Sequence, residues 1–294
     1  MAEYIEYRGE FDERPRLLKR IEDLPVPLQQ VYKSCPIPQK SLQAIFIAPQ
    51  QIFYKHGKKM VPEQALLFTS NEVIHLQAPS AKNPDGCCIV VNDNEIFFLR
   101  LTLVLMYARL EISASGSKGL TCIDLEFEVS GHPLIEPYLK KTLTKAWVKP
   151  ADRKAKPPDR NSLIAQLPYK FKNGLTLFAL QPEEILQGCL YQPTIKEKVL
   201  GLFPREICPK IAIALTDRQL IFLEEIRARN ELKYGWVITF CPLQKIQAVK
   251  VIHGRPLNQI SFHLESQKVS RELVKQLSDQ LLKKWENLWA SRYN

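Results

Sequence analysis

The sequence repeats itself, and the repeat limits the folds open to this chain more than any other feature. Ile211 to Glu224 reads Ile-Ala-Ile-Ala-Leu-Thr-Asp-Arg-Gln-Leu-Ile-Phe-Leu-Glu, and Ala65 to Gln77 reads Ala-Leu-Leu-Phe-Thr-Ser-Asn-Glu-Val-Ile-His-Leu-Gln. Each is an apolar run, a Thr followed by short polar residues, and a second β-branched or aromatic run, which is the pattern of a hairpin. Thr with Ser70 or Asp217 suits the bend because short oxygen-bearing side chains hydrogen-bond backbone amides one or two residues ahead. Further out, Pro38, Leu42, Gln43 and Pro49 match Pro182, Leu186, Gln187 and Pro193 at one offset, and Leu24-Pro25 matches Leu167-Pro168 at nearly the same displacement. Two copies of one domain follow, and 294 residues give each enough chain for its own core.

Leu17, Leu18, Ile21 and Leu24 lie at helical spacing before Pro25 and Pro27 stop the pattern, so residues 1–34 read as a lead-in with a short helix that docks on the first domain. Strands are expected over 44–47 and 51–54, with a basic bend at Lys55-His56-Gly57-Lys58-Lys59. The apolar segment from Glu95 to Ile112 is at the short limit for a membrane span. Arg100 and Arg109 would be costly in lipid, and two sheet strands fit better. Ser113 to Gly119 reads as a turn. Ile123, Leu125, Phe127 and Val129 then alternate with Asp124, Glu126 and Glu128, giving one buried and one wet face. The first copy closes with a helix over Pro133 to Trp147, whose stripe is Leu134, Ile135, Tyr138, Leu139, Leu143, Ala146 and Trp147.

Val148 to Arg160 carries several basic residues and three prolines and almost nothing apolar, the composition of a semi-extended linker. The domains are therefore set at 35–147 and 180–294, with a basic, proline-rich linker and lead-in over 148–179. In the second copy, strands join at Pro242, turn at Gly254-Arg255-Pro256 and alternate over Gln259 to Glu265 as a last strand. A final helix is expected from about Ser270, with Leu273, Leu277, Leu281, Leu282, Trp285, Leu288 and Trp289 on one face. Each copy is then a sheet capped by a C-terminal helix.

Catalytic chemistry finds no foothold. Seven cysteines, odd in number and without a Cys-x-x-Cys pair, argue against a disulfide framework and a zinc knuckle, and burial accounts for Cys87 and Cys88. The five histidines, 56, 75, 132, 253 and 263, show no metal-ligand spacing, though His253 and His263 sit on or beside neighbouring strands. Ser115-Gly116-Ser117-Lys118-Gly119 lacks the spacing of a phosphate loop. No nucleophile has a recognisable base, and no cofactor or metal is expected. The acidic start of the chain is not a secretory signal, which predicts the cytosol, with attachment at the inner membrane face left open.

Charge supplies the one functional hint. The formal net charge is +10. Lys and Arg exceed Asp and Glu by about 7 over residues 161–294, by about 3 over the linker and by about 1 over residues 35–147. The expected hairpin tip Lys196 to Arg205 places Leu200, Leu202 and Phe203 between Lys196, Lys198 and Arg205, a composition suited to an anionic membrane surface. Lys55, Lys58 and Lys59 mark the matching bend in the first copy. Inward packing of Leu200 and Phe203 is the competing account.

The order Leu180-Gln-Pro-Glu-Glu-Ile185, Ala214-Leu-Thr-Asp-Arg-Gln-Leu-Ile221, Pro242-Leu-Gln-Lys-Ile-Gln-Ala-Val249 and a terminal helix resembles the bacterial pleckstrin-homology-like domain families over most of residues 180–290. The first copy is similar more loosely, with Thr69-Ser70-Asn71 where the family pattern has Thr-Asp-Arg. The resemblance implies a mainly β fold with helices: two bent, roughly seven-stranded antiparallel barrels, each closed at one end by its amphipathic helix. It names no ligand, and related folds that bind phosphoinositides near such a loop supply analogy only. Three readings stay open: a non-catalytic adaptor that binds a protein segment on a sheet edge or helix groove, peripheral attachment to anionic membrane through the basic tips, and, more weakly, nucleic-acid binding.

Overall fold

Short runs of β-branched and aromatic residues, each ended by a polar or proline-bearing turn, build most of both halves of the chain. The computed structural model describes residues 14–35, 42–54, 58–116, 119–146, 159–199, 203–226, 235–265 and 267–293. The chain divides into two units, Met1–Ala146 and Trp147–Asn294.

In the first unit, strand β1 (Arg16–Leu18) and a 3-10 turn (Ile21–Asp23) lead to helix α1 (Val26–Lys33). Then come β2 (Ala44–Ala48), a hairpin of β3 (Gln51–Tyr54) and β4 (Lys58–Val61), β5 (Gln64–Phe68), β6 (Glu72–Gln77) and β7 (Cys87–Asn92). A 3-10 turn (Asp93–Glu95) precedes β8 (Ile96–Val104), β9 (Tyr107–Gly116), β10 (Gly119–Glu128) and helix α2 (His132–Ala146). The order β1-β2-β5-β6-β7 makes one sheet. Strands β8, β9 and β10 make a second antiparallel ladder.

Strand β2 is buried at every residue, and period-two alternation explains why. Ile45 and Ile47 pack with Leu24, Leu28 and Val31 of the α1 segment and with Leu67, Ile74 and Leu76 of the sheet. Phe46, pointing the other way, meets Phe127 of β10 edge to face at 5.3 Å. The sheet is thus covered on both sides, by α1 and by the second ladder, while Phe68 stacks on Tyr138 of α2.

The second unit repeats this plan. After α3 (Arg160–Ala165), α4 (Tyr169–Gly174) runs into a π-helical turn (Leu175–Ala179). Strands β11 (Leu186–Gln192), β14 (Ile211–Thr216), β15 (Gln219–Glu225) and β16 (Gly235–Pro242) pair in that order. The hairpin of β12 (Ile195–Val199) and β13 (Phe203–Cys208) is inserted after β11, as β3 and β4 are after β2. Past a 3-10 turn (Leu243–Lys245), β17 (Ile246–Ile252), β18 (Asn258–Leu264) and β19 (Lys268–Leu273) form the second ladder, and α5 (Lys275–Tyr293) ends the chain. Phe262 of β18 lies 5.6 Å from Phe222 of β15 and 6.0 Å from Trp285 of α5, so the core sits among the two ladders and the helix.

The duplication holds to individual atoms. Thr69 Oγ1 accepts from the amides of Asn71 and Glu72 at 3.3 and 2.9 Å, and Thr216 Oγ1 accepts from those of Arg218 and Gln219 at 3.1 and 2.9 Å. Each bend carbonyl then takes the amide that starts the 3-10 turn: Asp93 N to Asn71 O and Leu243 N to Arg218 O, both 2.9 Å. A register shift follows in both copies, at Ile96/Phe98 and at Ile246/Ala248. The lead-in helices match too, with Pro25 at φ −53°, ψ 144° and Pro168 at φ −53°, ψ 143° as N-caps.

Several expectations need correction. Among the described residues no sheet closes on itself, so the barrel is replaced by open ladders joined at the 3-10 turns, where the strand pairing is interrupted. The helix expected near Leu17 to Leu24 is a strand and a 3-10 turn, and the helix begins after Pro25. Proline's fixed φ and missing N–H fit a first helical turn, so the prolines start this helix rather than stop one. Residues 268–273 form β19 rather than the first turn of the last helix, because Leu273 and Val269 are drawn into register opposite Asn258 and Phe262. Strand β9 runs on to Gly116 and shortens the turn expected at Ser113. Cys35, just past α1, is disulfide-bonded to Cys88 of β7, 53 residues away. Packing of α1 on the sheet makes that meeting, which residue counts and spacings do not show. The apolar stretch from Glu95 is a hairpin whose arginines pair, Arg109 holding Asp124 through two 2.8 Å bonds and Arg100 lying 3.5 Å from Glu111. No helix among the described residues is long and apolar enough to cross a membrane.

Candidate binding surfaces

The hairpin β12–β13 forms a two-stranded ladder of its own where the sequence places its basic tip, but strand register alters the charge. Lys196 stands opposite Glu206, and Glu197 opposite Arg205. Directly opposed residues share a face and lie within reach of one another, so each face of the stem carries a cation beside a carboxylate. Lys196 and Arg205 are exposed. Lys198 stands opposite Pro204 and Phe203 opposite Val199 in the register. Leu200 and Leu202 lie outside the described residues, as does Lys55 of the first unit. Lys58 and Lys59 fall in β4, opposite Tyr54 and Phe53.

A second surface was not singled out from the sequence. Strand β17 ends its ladder and, among the described residues, pairs only with β18. Gln247, Ala248 and Lys250 are exposed, and Ile252 is exposed over 57% of its surface. Opposite Phe262 and Ile260, Val249 and Val251 are half-buried. A seven-residue edge strand presents a row of outward N–H and C=O groups, and only Lys250 and the shift at its start guard this one. The available signal was a central Lys in an otherwise apolar run, a common edge device.

The buried polar groups serve the interior. His75 is held neutral, its pKa pushed down by burial to about 4, with Nε2 3.1 Å from Gln64 Oε1. His132 is also buried, and burial lowers its pKa. His253 and His263 are not brought together. His263 pairs opposite Ala248, and His253 lies five residues further along that strand direction, roughly 16 Å away at strand rise. Arg271 of β19 bridges the ladders, 2.5 Å from Glu224 Oε2 and with its guanidinium over the Phe222 ring. Gln192 donates to Glu272 O and accepts from Val274 N, tying β11 to the end of β19. Glu225 is clasped by Lys170 and Lys210: burial works to raise its pKa, and the two ammonium groups outweigh that and lower it. Among the described residues no group of three His, Cys, Asp or Glu side chains is placed to hold a metal ion. In comparisons with known proteins, no protein-family model and no curated protein matches this chain.

Proposed function

We propose that the chain is a non-catalytic binding protein built from two pleckstrin-homology-like domains, and that its second unit captures an extended protein segment on the outer edge of β17. The family reading is supported by the shared plan of a first antiparallel ladder with an inserted hairpin, a three-stranded ladder and a C-terminal helix in each unit, the first ladder of the first unit carrying β1 as an additional strand. The capture reading is carried by one observation: a seven-residue edge strand with exposed side chains and little to block a further strand. Main-chain hydrogen bonds would supply affinity there, and alternate side chains selectivity.

The test is to select extended peptides from a displayed library on the full-length protein and to follow amide exchange with and without the selected peptide. Slowed exchange along β17 is expected. Protection confined to another surface would overturn the assignment.

Peripheral attachment to anionic membrane is the second reading, favoured by the basic excess of residues 161–294. It predicts sedimentation with anionic liposomes that falls with salt and is weakened by neutralising Lys196, Lys198 and Arg205 together, each cation near the surface contributing about 1 kcal/mol. Indifference to such liposomes at low salt would remove it.

A further inference from the structure

The bend between β14 and β15 holds a pair of side chains with an unusual balance of donors and acceptors. Glu184, in the segment leading to β11, and Gln219, at the start of β15, are both buried. Gln219 Nε2 donates to Glu184 Oε1 at 2.5 Å. The second oxygen of the carboxyl, Glu184 Oε2, and the amide oxygen, Gln219 Oε1, are both buried and without a hydrogen-bond partner among the described residues. Two orphaned acceptors on one bonded pair are costly if the carboxyl is ionised, since each forfeits its solvation for nothing. They become donor and acceptor if the carboxyl carries a proton.

We propose that Glu184 and Gln219 form a proton-dependent lock, a carboxylic acid paired with a primary amide through two hydrogen bonds, that closes the root of β11 onto the β14–β15 bend and loosens when the acid ionises. The segment so held is short and otherwise secured by its neighbour: Ile185 N donates to Asp217 Oδ1, and Asp217 N to Ile185 O. The charged groups around Glu184 are Asp217 and Arg218 of the bend and Arg160 of α3, whose Nη1 donates to Gln181 O one turn before it. Burial decides the matter, raising the Glu184 pKa to about 7 against the hydrogen bonds from Gln219 and the Gln181 backbone, which favour ionisation as Arg218 does, while Asp217 opposes it. The lock therefore opens near neutral pH, where small changes in acidity alter its state.

The experiment is a carboxyl-carbon NMR titration of the full-length protein carrying labelled glutamate, with Glu184 assigned by its disappearance in Glu184→Gln. A midpoint near 7 is expected in place of the ordinary 4.5. The side-chain amide resonances of Gln219 should shift with the same midpoint, a readout that burial of Glu184 alone would not move. The stability of the second unit should fall as pH rises from about 4.5 through about 7 in the wild type, and this component should be missing in Glu184→Gln, whose amide stays neutral. A Glu184 midpoint in the ordinary carboxylate range, or Gln219 resonances indifferent to it, would overturn the lock. The wild-type titration decides the matter even if the variant folds poorly, with Glu184→Asp then serving for assignment.

Discussion

His75 and Phe222 occupy one register position in their two units, His75 opposite Leu66 and Phe222 opposite Ile213. Gln64 and Ile211 correspond in the same way, so a buried hydrogen-bonded pair in the first unit is an apolar pair in the second. The exchange has a consequence in pH. Below about pH 6.5 the unfolded chain protonates His75 while the folded chain, with its pKa near 4, does not. Stability of the first unit should therefore fall as pH drops from 6.5 toward 4 and level off below, by about 3 kcal/mol in all at 1.36 kcal/mol per unit. The double variant Gln64→Ile, His75→Phe copies the second unit and should abolish that component without leaving Gln64 unpaired. Unfolding curves across this range would show it, and a slope equal to the wild type's would refute it. The bend threonines were legible from sequence because their partners lie two and three residues away. The His75 and Gln64 pair was not, since cross-strand partners appear only once the register is known.

Elements behave differently from residues in this respect. Strands with strong alternation and the helix ending each copy can be read from sequence, because burial imposes a period. The last helix keeps Leu281 and Trp285 buried, with Trp285 edge-on to Phe262 of its own ladder. Trp285→Ala should cost about 3 to 5 kcal/mol in a denaturant titration, and a loss below about 1 kcal/mol would mean the helix takes little part in that core. What the sequence hides is the placement of α1 on the outside of the first sheet, which depends on Leu24, Leu28 and Val31 meeting Ile45 and Ile47 across loops and strands. The Cys35–Cys88 bond locks this arrangement and closes a 53-residue separation. Removing it by Cys35→Ser should lower the stability of the first unit by about 2 to 4 kcal/mol under non-reducing conditions. Once excess dithiol is present, wild type and variant should coincide, and a difference that persists would assign the effect to packing of the new side chain. Basic tips were likewise only half legible: composition shows Lys196 and Arg205, and register shows the glutamates opposite them.

At the scale of the whole chain, two copies of one plan carry buried titrations that act in opposite directions over overlapping acid ranges. In the first unit, burial holds both His75 and His132 below their ordinary pKa, and each resists the proton that the unfolded chain accepts as the medium turns acid. In the second, Glu184 behaves in the reverse sense. Its folded pKa near 7 exceeds the unfolded 4.5, so the stability it contributes is complete below 4.5 and is lost as pH rises through 7. Glu225, held down by Lys170 and Lys210, gives up its contribution only below the ordinary carboxylate range and does not disturb this window. Amide protection measured peptide by peptide in the intact protein at about pH 5 and about pH 8, each rate divided by that of the unfolded chain at the same pH, should therefore cross over. Residues of the first unit should be better protected at the higher pH and those of the second unit at the lower. The Gln64→Ile, His75→Phe variant should flatten the response of the first unit alone, and Glu184→Gln that of the second alone. Movement of both units in the same direction would show that net charge, rather than these buried groups, governs how the protein responds to acid.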